Sequence, residues 1–319
     1  MKNSSLKIWS NVKYYETAMK LLRQGTSDHQ LILVSETIRE DPSLASADIA
    51  FGQPDAEVVR QSSSLRWVHL DSAGYEKFDT RLMHSDLRSR GAKLSNSSSV
   101  YDEPCAEHLL AMMMGLARRI PHAFENQLKD RMWPMMELRA ASYLLAGQNV
   151  VLLGFGAIAR RLVELLTPLR MNLVAVRRQK TGDEQIPVIV ESELEKYLPI
   201  ADHVINILPA NASTRNFVNA ARISVMKRSA IFYNIGRGTT VDQEALLAAL
   251  HSGQLAATYI DVTDPEPLPP GHPLWTAPNC FITPHTAGGY IGEKERLVRH
   301  FLYNLRRFMT GENLLDQII

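Results

Sequence analysis

Cysteine is scarce. The 319 residues hold two, Cys105 and Cys280, which argues against a disulfide framework or a cysteine-built metal cluster and points to a reducing compartment, the cytoplasm. An excess of either charge is also missing: the net charge is +1, so nothing in the balance calls for nucleic acid or an anionic membrane surface as a partner. No apolar run reaches the roughly 20 residues that span a bilayer. The opening MKNSSLKIWSNVKYY lacks the long apolar core and cleavage pattern of a signal peptide, so none is expected. Internal repeats and low-complexity tracts are absent too. What is there is 45% hydrophobic and 22% charged, a soluble globular composition in a chain long enough for two domains with a core each.

The chain is organised around NVVLLGFGAIARR, residues 149–161. An apolar strand pattern runs into Gly154-Phe155-Gly156-Ala157-Ile158-Ala159, and an amphipathic helix pattern follows. Such a turn aims backbone N–H groups and the positive end of a helix at a phosphate. Gly154 permits the sharp turn, Gly156 allows a pyrophosphate close to the backbone, and Ala159 fills the third position, which requires only close helix–strand packing. Ala157 and Ile158 open the helix and complete the expected phosphate cradle. An ordinary strand–helix turn is the competing reading of so short a motif.

Short apolar runs at 6–10, 30–35, 48–52, 65–70 and 92–95 read as buried parallel strands joined by helices, one compact α/β unit. The small residues of Asp71-Ser72-Ala73-Gly74 would let a ligand approach the backbone, although a plain loop is the commoner meaning. Asn96-Ser97-Ser98-Ser99 is a polar hinge candidate. A helix is expected from Pro104 to about Arg119, apolar all round at Met112, Met113 and Met114 and so buried on more than one side. Internal packing explains it; with Trp133, Met135 and Met136, so does a subunit interface. Six further strand candidates follow at 150–154, 172–176, 203–208, 230–235, 256–262 and 280–283. With crossover helices between them, such as 242–251 capped by Asp242, they complete a doubly wound dinucleotide fold. A final helix, about Gly292 to Met309, would pack back on the first domain.

The second strand of that fold ends beside the adenosine ribose, where a carboxylate would bind the 2′-hydroxyl. Here the strand runs into Arg177-Arg178-Gln179-Lys180, three cations and no acid. Guanidinium groups suit a phosphate dianion, so the reading is NADP(H) preferred with NAD(H) possible, against a solvated basic loop. Three later strands each end in a chemically able segment: Asn234-Ile235-Gly236-Arg237-Gly238, Asp261 to Pro267 with Glu266, and Thr283-Pro284-His285. Arg237 can grip a carboxylate and polarise a carbonyl, His285 can exchange a proton near neutral pH, and Glu266 can orient the imidazole. Taken singly, each of these residues is more often structural.

Together these segments resemble the D-isomer-specific 2-hydroxyacid dehydrogenase family over nearly the whole chain. The resemblance rests on CAEHLLAMMMGLARRI, LLAGQNVVLLGFGAIARRL, NIGRGTTVDQEALLAALHSGQLAATYIDV, EPLPPGHPLW and TPHTAG, in order. It implies two doubly wound α/β domains: a Rossmann dinucleotide-binding domain, 100–286, and a smaller flavodoxin-like substrate domain, 1–99 plus 287–319. It further implies a cleft between them, hinge closure, and a homodimer formed through the 104–148 region. By the same resemblance His285 is the acid/base, Glu266 its partner, and Arg237 binds the carboxylate and keto oxygen of a small 2-keto acid. Asp261 and the backbone of Asn234 and Ile235 face the nicotinamide, Leu208 and Pro209 line the adenosine side, and Ala73 and Gly74 offer N–H groups to the substrate. The expected reaction is reduction of glyoxylate or hydroxypyruvate to the D-2-hydroxy acid. The chain departs from many relatives at Arg177, at Asp102 and at Tyr75-Glu76, the last near the substrate. Glu266 stands where formate dehydrogenases carry Gln. A dinucleotide-sensing corepressor would need long disordered extensions and a 3-phosphoglycerate dehydrogenase commonly a regulatory C-terminal one; these, with phosphite dehydrogenase, are the alternatives within the fold.

Overall fold

The computed structural model describes residues 5–35, 41–180, 182 and 184–319. The chain divides into two compact units, Met1–Tyr101 with Gly289–Ile319, and Asp102–Gly288. In the first, β1 (Lys7–Ser10), β2 (Gln30–Leu33), β3 (Ile49–Gly52), β4 (Trp67–Leu70) and β5 (Lys93–Ser95) alternate with α1 (Glu16–Gly25), α2 (Pro42–Ala45), α3 (Ala56–Gln61) and α4 (Arg81–Ser89). The strands are parallel in the order β2-β1-β3-β4-β5, the flavodoxin-like order, whose direction of winding reverses between β1 and β3. β3 and β4 are buried throughout, as a sheet covered on both faces demands. Asp41, Asp55 and Thr80 cap the helices that follow them, each side chain accepting from a first-turn N–H.

The helix α5 (Ser98–Ala117) carries the chain into the second unit, followed by α6 (Ile120–Leu128) and α7 (Met135–Ala141). Then come β6 (Asn149–Leu153), α8 (Ala157–Leu166), β7 (Asn172–Val176), β8 (Val188–Ile189), β9 (His203–Asn206), α9 (Ala220–Ser224), β10 (Ile231–Asn234), α10 (Gln243–His251), β11 (Ala257–Ile260) and β12 (Cys280–Ile282). The sheet order is β12-β11-β10-β9-β6-β7-β8, parallel throughout, with its switch point between β6 and β9. It has seven strands; the two-residue β8 is too short to leave a pattern in the sequence. Asp242 caps α10 as read, accepting from the Ala245 N–H at 3.0 Å.

The last helix, α11 (Glu293–Thr310), belongs to the first unit. Phe301 lies flat against Phe51, ring centroids 4.2 Å apart, and against Trp67 at 5.3 Å. Beyond it the tail pairs with β5: Ile318 N–H donates to the Leu94 carbonyl at 2.8 Å, and Gln317 bridges Ser95 in antiparallel sense.

Two expectations change. The helix expected from Pro104 starts six residues earlier, because Asp316 accepts from the Ser99 N–H and hydroxyl, both at 2.8 Å, and so caps a turn from outside the local sequence. In the polar stretch 96–99, the hinge candidate, Asn96 and Ser97 are buried, Asn96 Nδ2 donating to the Ala73 carbonyl at 2.7 Å and Ser97 Oγ to the Leu70 carbonyl at 2.8 Å. Within α5 Met113 is fully buried, whereas Met114 is 43% exposed, so the helix is not covered all round.

Removing the Phe301 ring leaves a cavity against two aromatic neighbours, so Phe301→Ala should cost about 3–5 kcal/mol in urea unfolding. Burial also holds the His203 imidazole down to about 4, from an ordinary 6.5. The unfolded chain takes up that proton first, so this contribution is full above about pH 6.5 and is lost progressively as pH falls toward 4. His203→Gln should flatten the acid limb of a melting-temperature profile; an unchanged limb would assign the slope to other groups.

Candidate active site

The glycine turn follows β6 at the switch point of the second unit's sheet, where open α/β folds take ligands. Gly154 has φ +104°, and a Cβ there would press on the Ile207 carbonyl at 3.3 Å. A Cβ at Gly156 would project into open space, with nothing within 4 Å. That space, over the first turn of α8 opened by Ala157 and Ile158, is what a phosphate needs. Ala159 is fully buried and seats the helix on the sheet together with Leu162 and Leu166. The residues present therefore fit a dinucleotide pyrophosphate.

Past β7, Arg177 Nη1 donates to Glu184 Oε1 at 3.2 Å, and Lys180 lies 3.8 Å from Glu193. The strand end is thus less purely cationic than its sequence; the Glu184 side chain is 8% exposed and reaches back over seven residues. Arg178 is held differently: its Nη2 donates to Ser213 Oγ at 2.6 Å and Asn211 Oδ1 at 3.4 Å, both in the loop after β9. A guanidinium and a hydroxyl side by side suit a phosphate better than an unmodified ribose.

Leu208 and Pro209 follow β9. Leu208 is within 4 Å of where side chains at Gly154 and Gly236 would begin, so the three loops converge. Asn206 and Asn234, the last residues of β9 and β10, are buried. Asn206 Nδ2 donates to Asn234 Oδ1 at 2.9 Å and to Thr240 Oγ1 at 2.7 Å, while Asn234 Oδ1 also accepts from the Gly236 N–H at 3.1 Å. Thr240 Oγ1 in turn donates to the Arg237 carbonyl at 2.6 Å. The backbone of the Ile235–Arg237 segment is therefore held at several points. Its guanidinium end donates to the Gly236 carbonyl at 2.8 Å. Gly238 is sterically required: a Cβ would stand 2.0 Å from the Thr263 carbonyl.

Asp261, buried after β11, turns its carboxylate to the loop after β12. Oδ1 accepts from the Thr286 N–H at 2.9 Å and from the Thr283 hydroxyl, and Oδ2 from the Ala287 N–H at 3.1 Å. The His285 N–H donates to the Asp261 carbonyl at 2.9 Å. Expected beside the nicotinamide, Asp261 has these loop contacts as its hydrogen bonds. His285 itself adopts φ +52°, a left-handed conformation costly for a residue with a side chain, and its Nδ1 is hydrogen-bonded to Glu266 Oε1. Strands β10, β11 and β12 are neighbours, so Arg237, Glu266 and His285 all follow the carboxyl ends of adjoining strands.

In the first unit, the loop after β4 carries Ala73 and Gly74. Their carbonyls accept from Asn96 Nδ2 and, at 2.7 Å, from Ser72 Oγ, which fixes the loop. Tyr75 packs partly against the core, Glu76 opens a 3-10 turn, and Asp102 accepts from the Glu103 N–H at 2.7 Å. The sequence reading gave no role to Asn206, Thr240, Thr283 and Ser213. The asparagines had left a signal, a polar residue closing each of two apolar strands (HVIN and IFYN). Cys105 was also passed over as a site residue; burial pushes its thiol up to about 12, with the charges of Asp261 and Arg237 nearby.

Residues 110–287 match the family model described as D-isomer specific 2-hydroxyacid dehydrogenase, NAD binding domain. A glyoxylate reductase of Korarchaeum cryptofilum is 30% identical over 278 residues, 82% of this chain and 80% of that protein. A glyoxylate/hydroxypyruvate reductase B of Klebsiella pneumoniae is 28% identical over 323 residues, 97% of this chain and 95% of that one. Among solved structures, a D-isomer specific 2-hydroxyacid dehydrogenase from Xanthobacter autotrophicus, in complex with NADPH and MES, is similar with a TM-score of 0.83 at 23% identity, covering 99% of this chain and 98% of that one.

The Asp261 clamp makes a prediction independent of any reaction. In Asp261→Ala two backbone donors lose their acceptor, a loss of about 1–3 kcal/mol, so the Thr286 and Ala287 amides should exchange hydrogen roughly 5- to 150-fold faster. Amides of the glycine turn serve as the internal control; equal acceleration there would mean general loosening.

Proposed function

The chain belongs to the D-isomer specific 2-hydroxyacid dehydrogenase family, and from that premise we propose that it reduces a small 2-keto acid, with glyoxylate and hydroxypyruvate as the first candidates, to the D-2-hydroxy acid with NADPH. The observation that carries this reading is the hydrogen-bonded His285–Glu266 pair, in the loops after β12 and β11, with Arg237 in the loop after β10, the next strand of the sheet. When bound, the reduced nicotinamide supplies the hydride for C2. Arg237 grips the substrate carboxylate and polarises the keto oxygen, on which negative charge develops. Glu266 takes the Nδ1 proton of His285 in a hydrogen bond, which leaves Nε2 to hand its proton to the forming alkoxide. The N–H groups of Ala73 and Gly74 receive the substrate carboxylate. Asp261 acts through the His285 loop as a positioning residue.

For the dinucleotide, Gly154, Gly156, Ala157 and Ile158 would hold the pyrophosphate, Leu208 and Pro209 the adenosine, and the backbone of Asn234 and Ile235 the nicotinamide. We assign the 2′-phosphate chiefly to Arg178 with Ser213. Arg177 has a secondary part because Glu184 already shares its charge. NADP(H) is thus preferred and NAD(H) remains usable.

The α6–α7 region bears an exposed apolar surface: Trp133 is 90% exposed and Leu128 81%, beside Met132 and Met136. A surface of this kind is covered in solution, and we propose a homodimer through 104–148. Two free cysteines suit a cytoplasmic setting.

Absorbance at 340 nm with NADPH and NADH in parallel tests the reading. His285→Ala should lower kcat by about 10²–10⁴-fold and Glu266→Gln by less, with dinucleotide affinity kept. Arg178→Ala should raise KM for NADPH by about tenfold and spare NADH, the loss of one charge-assisted contact. Failure to oxidise either dinucleotide with any small 2-keto acid would sink the proposal; faster turnover with NADH would sink only the cofactor preference. Light scattering should give twice the chain mass, and Trp133→Asp should halve it.

A further inference from the structure

The first unit has its own topological switch point, between β1 and β3, and the chain opens a cavity of about 720 Å³ there. Its position is where a doubly wound sheet receives ligands, and its size is in the range of about 300–1,000 Å³ that holds multi-atom ligands. Lys13, Tyr14, Gln53, Asp71, Lys77 and Lys294 line it.

The walls are built. Asn11, after β1, and Gln53, after β3, clamp the two loops together: Gln53 N–H donates to Asn11 Oδ1 and Asn11 Nδ2 to the Gln53 carbonyl, both at 2.9 Å. Gly52 makes the approach possible at φ +122°, since a Cβ there would stand 2.3 Å from Asn11 Oδ1. Gln53 Nε2 then donates to Asp71 Oδ1 at 2.7 Å and to Ser72 Oγ at 3.0 Å. The cavity wall is thereby wired to the loop that carries Ala73 and Gly74.

Charge decides what fits. Asp71 accepts from Gln53 on one oxygen and from the Tyr14 hydroxyl on the other, at 2.8 Å. Asp55, also in the wall, caps α3 with Oδ1, accepting from the Glu57 and Val58 N–H groups. Both acids of the wall are thus engaged by donors of the protein itself. Lys294 pairs with Glu293 at 2.9 Å and lies over the Tyr14 ring. Lys13 and Lys77 are exposed and form no ion pair among the described residues. Asp55 and Asp71 keep their charge, since their donors are neutral, and Lys13 and Lys77 are the ammonium groups of the cavity that no carboxylate among the described residues pairs with.

We propose that this cavity selects, among 2-keto acids, those with a second anionic group at the far end of the chain, with Lys13 and Lys77 as the residues that hold it. The inference rests on the proposed reductase reading, with the substrate's first carboxylate at Ala73 and Gly74. What it adds is a ranking: dianionic substrates before monoanionic ones of equal length.

The comparison of 2-oxoglutarate with 2-oxopentanoate isolates the point, because the two differ in having a carboxylate or a methyl at the far end. The wild-type protein should favour 2-oxoglutarate in kcat/KM by about tenfold or more, the value of a charge-assisted contact at an exposed site. That ratio should fall about tenfold in a Lys13→Ala/Lys77→Ala double variant, and shrink in about 1 M salt, where screening reaches a few ångströms. A wild-type preference for 2-oxopentanoate, or a ratio indifferent to both variant and salt, overturns the inference while leaving the reductase reading in place. No turnover of either acid, nor of glyoxylate or hydroxypyruvate, overturns the reductase reading and this inference with it.

Discussion

The geometry of the segment that carries Arg237 depends on two buried asparagines. Asn206 and Asn234 end neighbouring strands, and their amides bond to each other, to Thr240 and to the backbone next to Arg237. A buried amide that lost its partners would cost more than its bonds are worth, so the arrangement is all-or-none. Around it the backbone is packed too closely for side chains, as Gly236 and Gly238 show against Leu208 and Thr263. The Arg237 loop is thereby fixed by the sheet itself. The His285 loop is fixed one strand over by the Asp261 carboxylate, and strain at His285 is carried where both ends of the loop are held. Preorganisation of this kind lets a modest set of side chains stabilise charge as it develops.

Much of this was legible in the sequence, for a physical reason. Parallel strands buried on both faces read as short apolar runs, so all five strands of the first unit and six of the seven in the second were visible, with ends that agree to within two residues. The glycine turn was legible because its constraint is local. The start of α5 was not, because its cap is Asp316, over two hundred residues away. Pro104, a residue that often opens a helix, lies inside this one instead. The positioning residues were hidden for the same reason: nothing in a local window says that Thr283 and two amides converge on Asp261.

The cofactor loop shows how far composition alone can be trusted. Three cations in four residues suggest a strongly positive site. Folding brings Glu184 to Arg177 and Glu193 toward Lys180, while Arg178, the residue we propose for the 2′-phosphate, is set beside Ser213. Charge counted along the chain and charge presented by the folded loop are different quantities, and only the second acts on a ligand.

The position of Phe301 has a consequence for synthesis. It completes the core of the first unit by stacking on Phe51 and Trp67, and the final residues add a strand-like edge to β5. A ribosome delivers Phe51 and Trp67 first and Phe301 last, with the whole of Asp102–Gly288 in between. The amino-terminal unit therefore emerges without its stacking partner, and its sheet stays partly uncovered while the intervening unit, continuous in sequence, has everything it needs to fold. The order of assembly is the reverse of the order of translation: the part made first is finished last, and a nascent chain stopped short of α11 presents bare aromatic surface to whatever chaperone attends it.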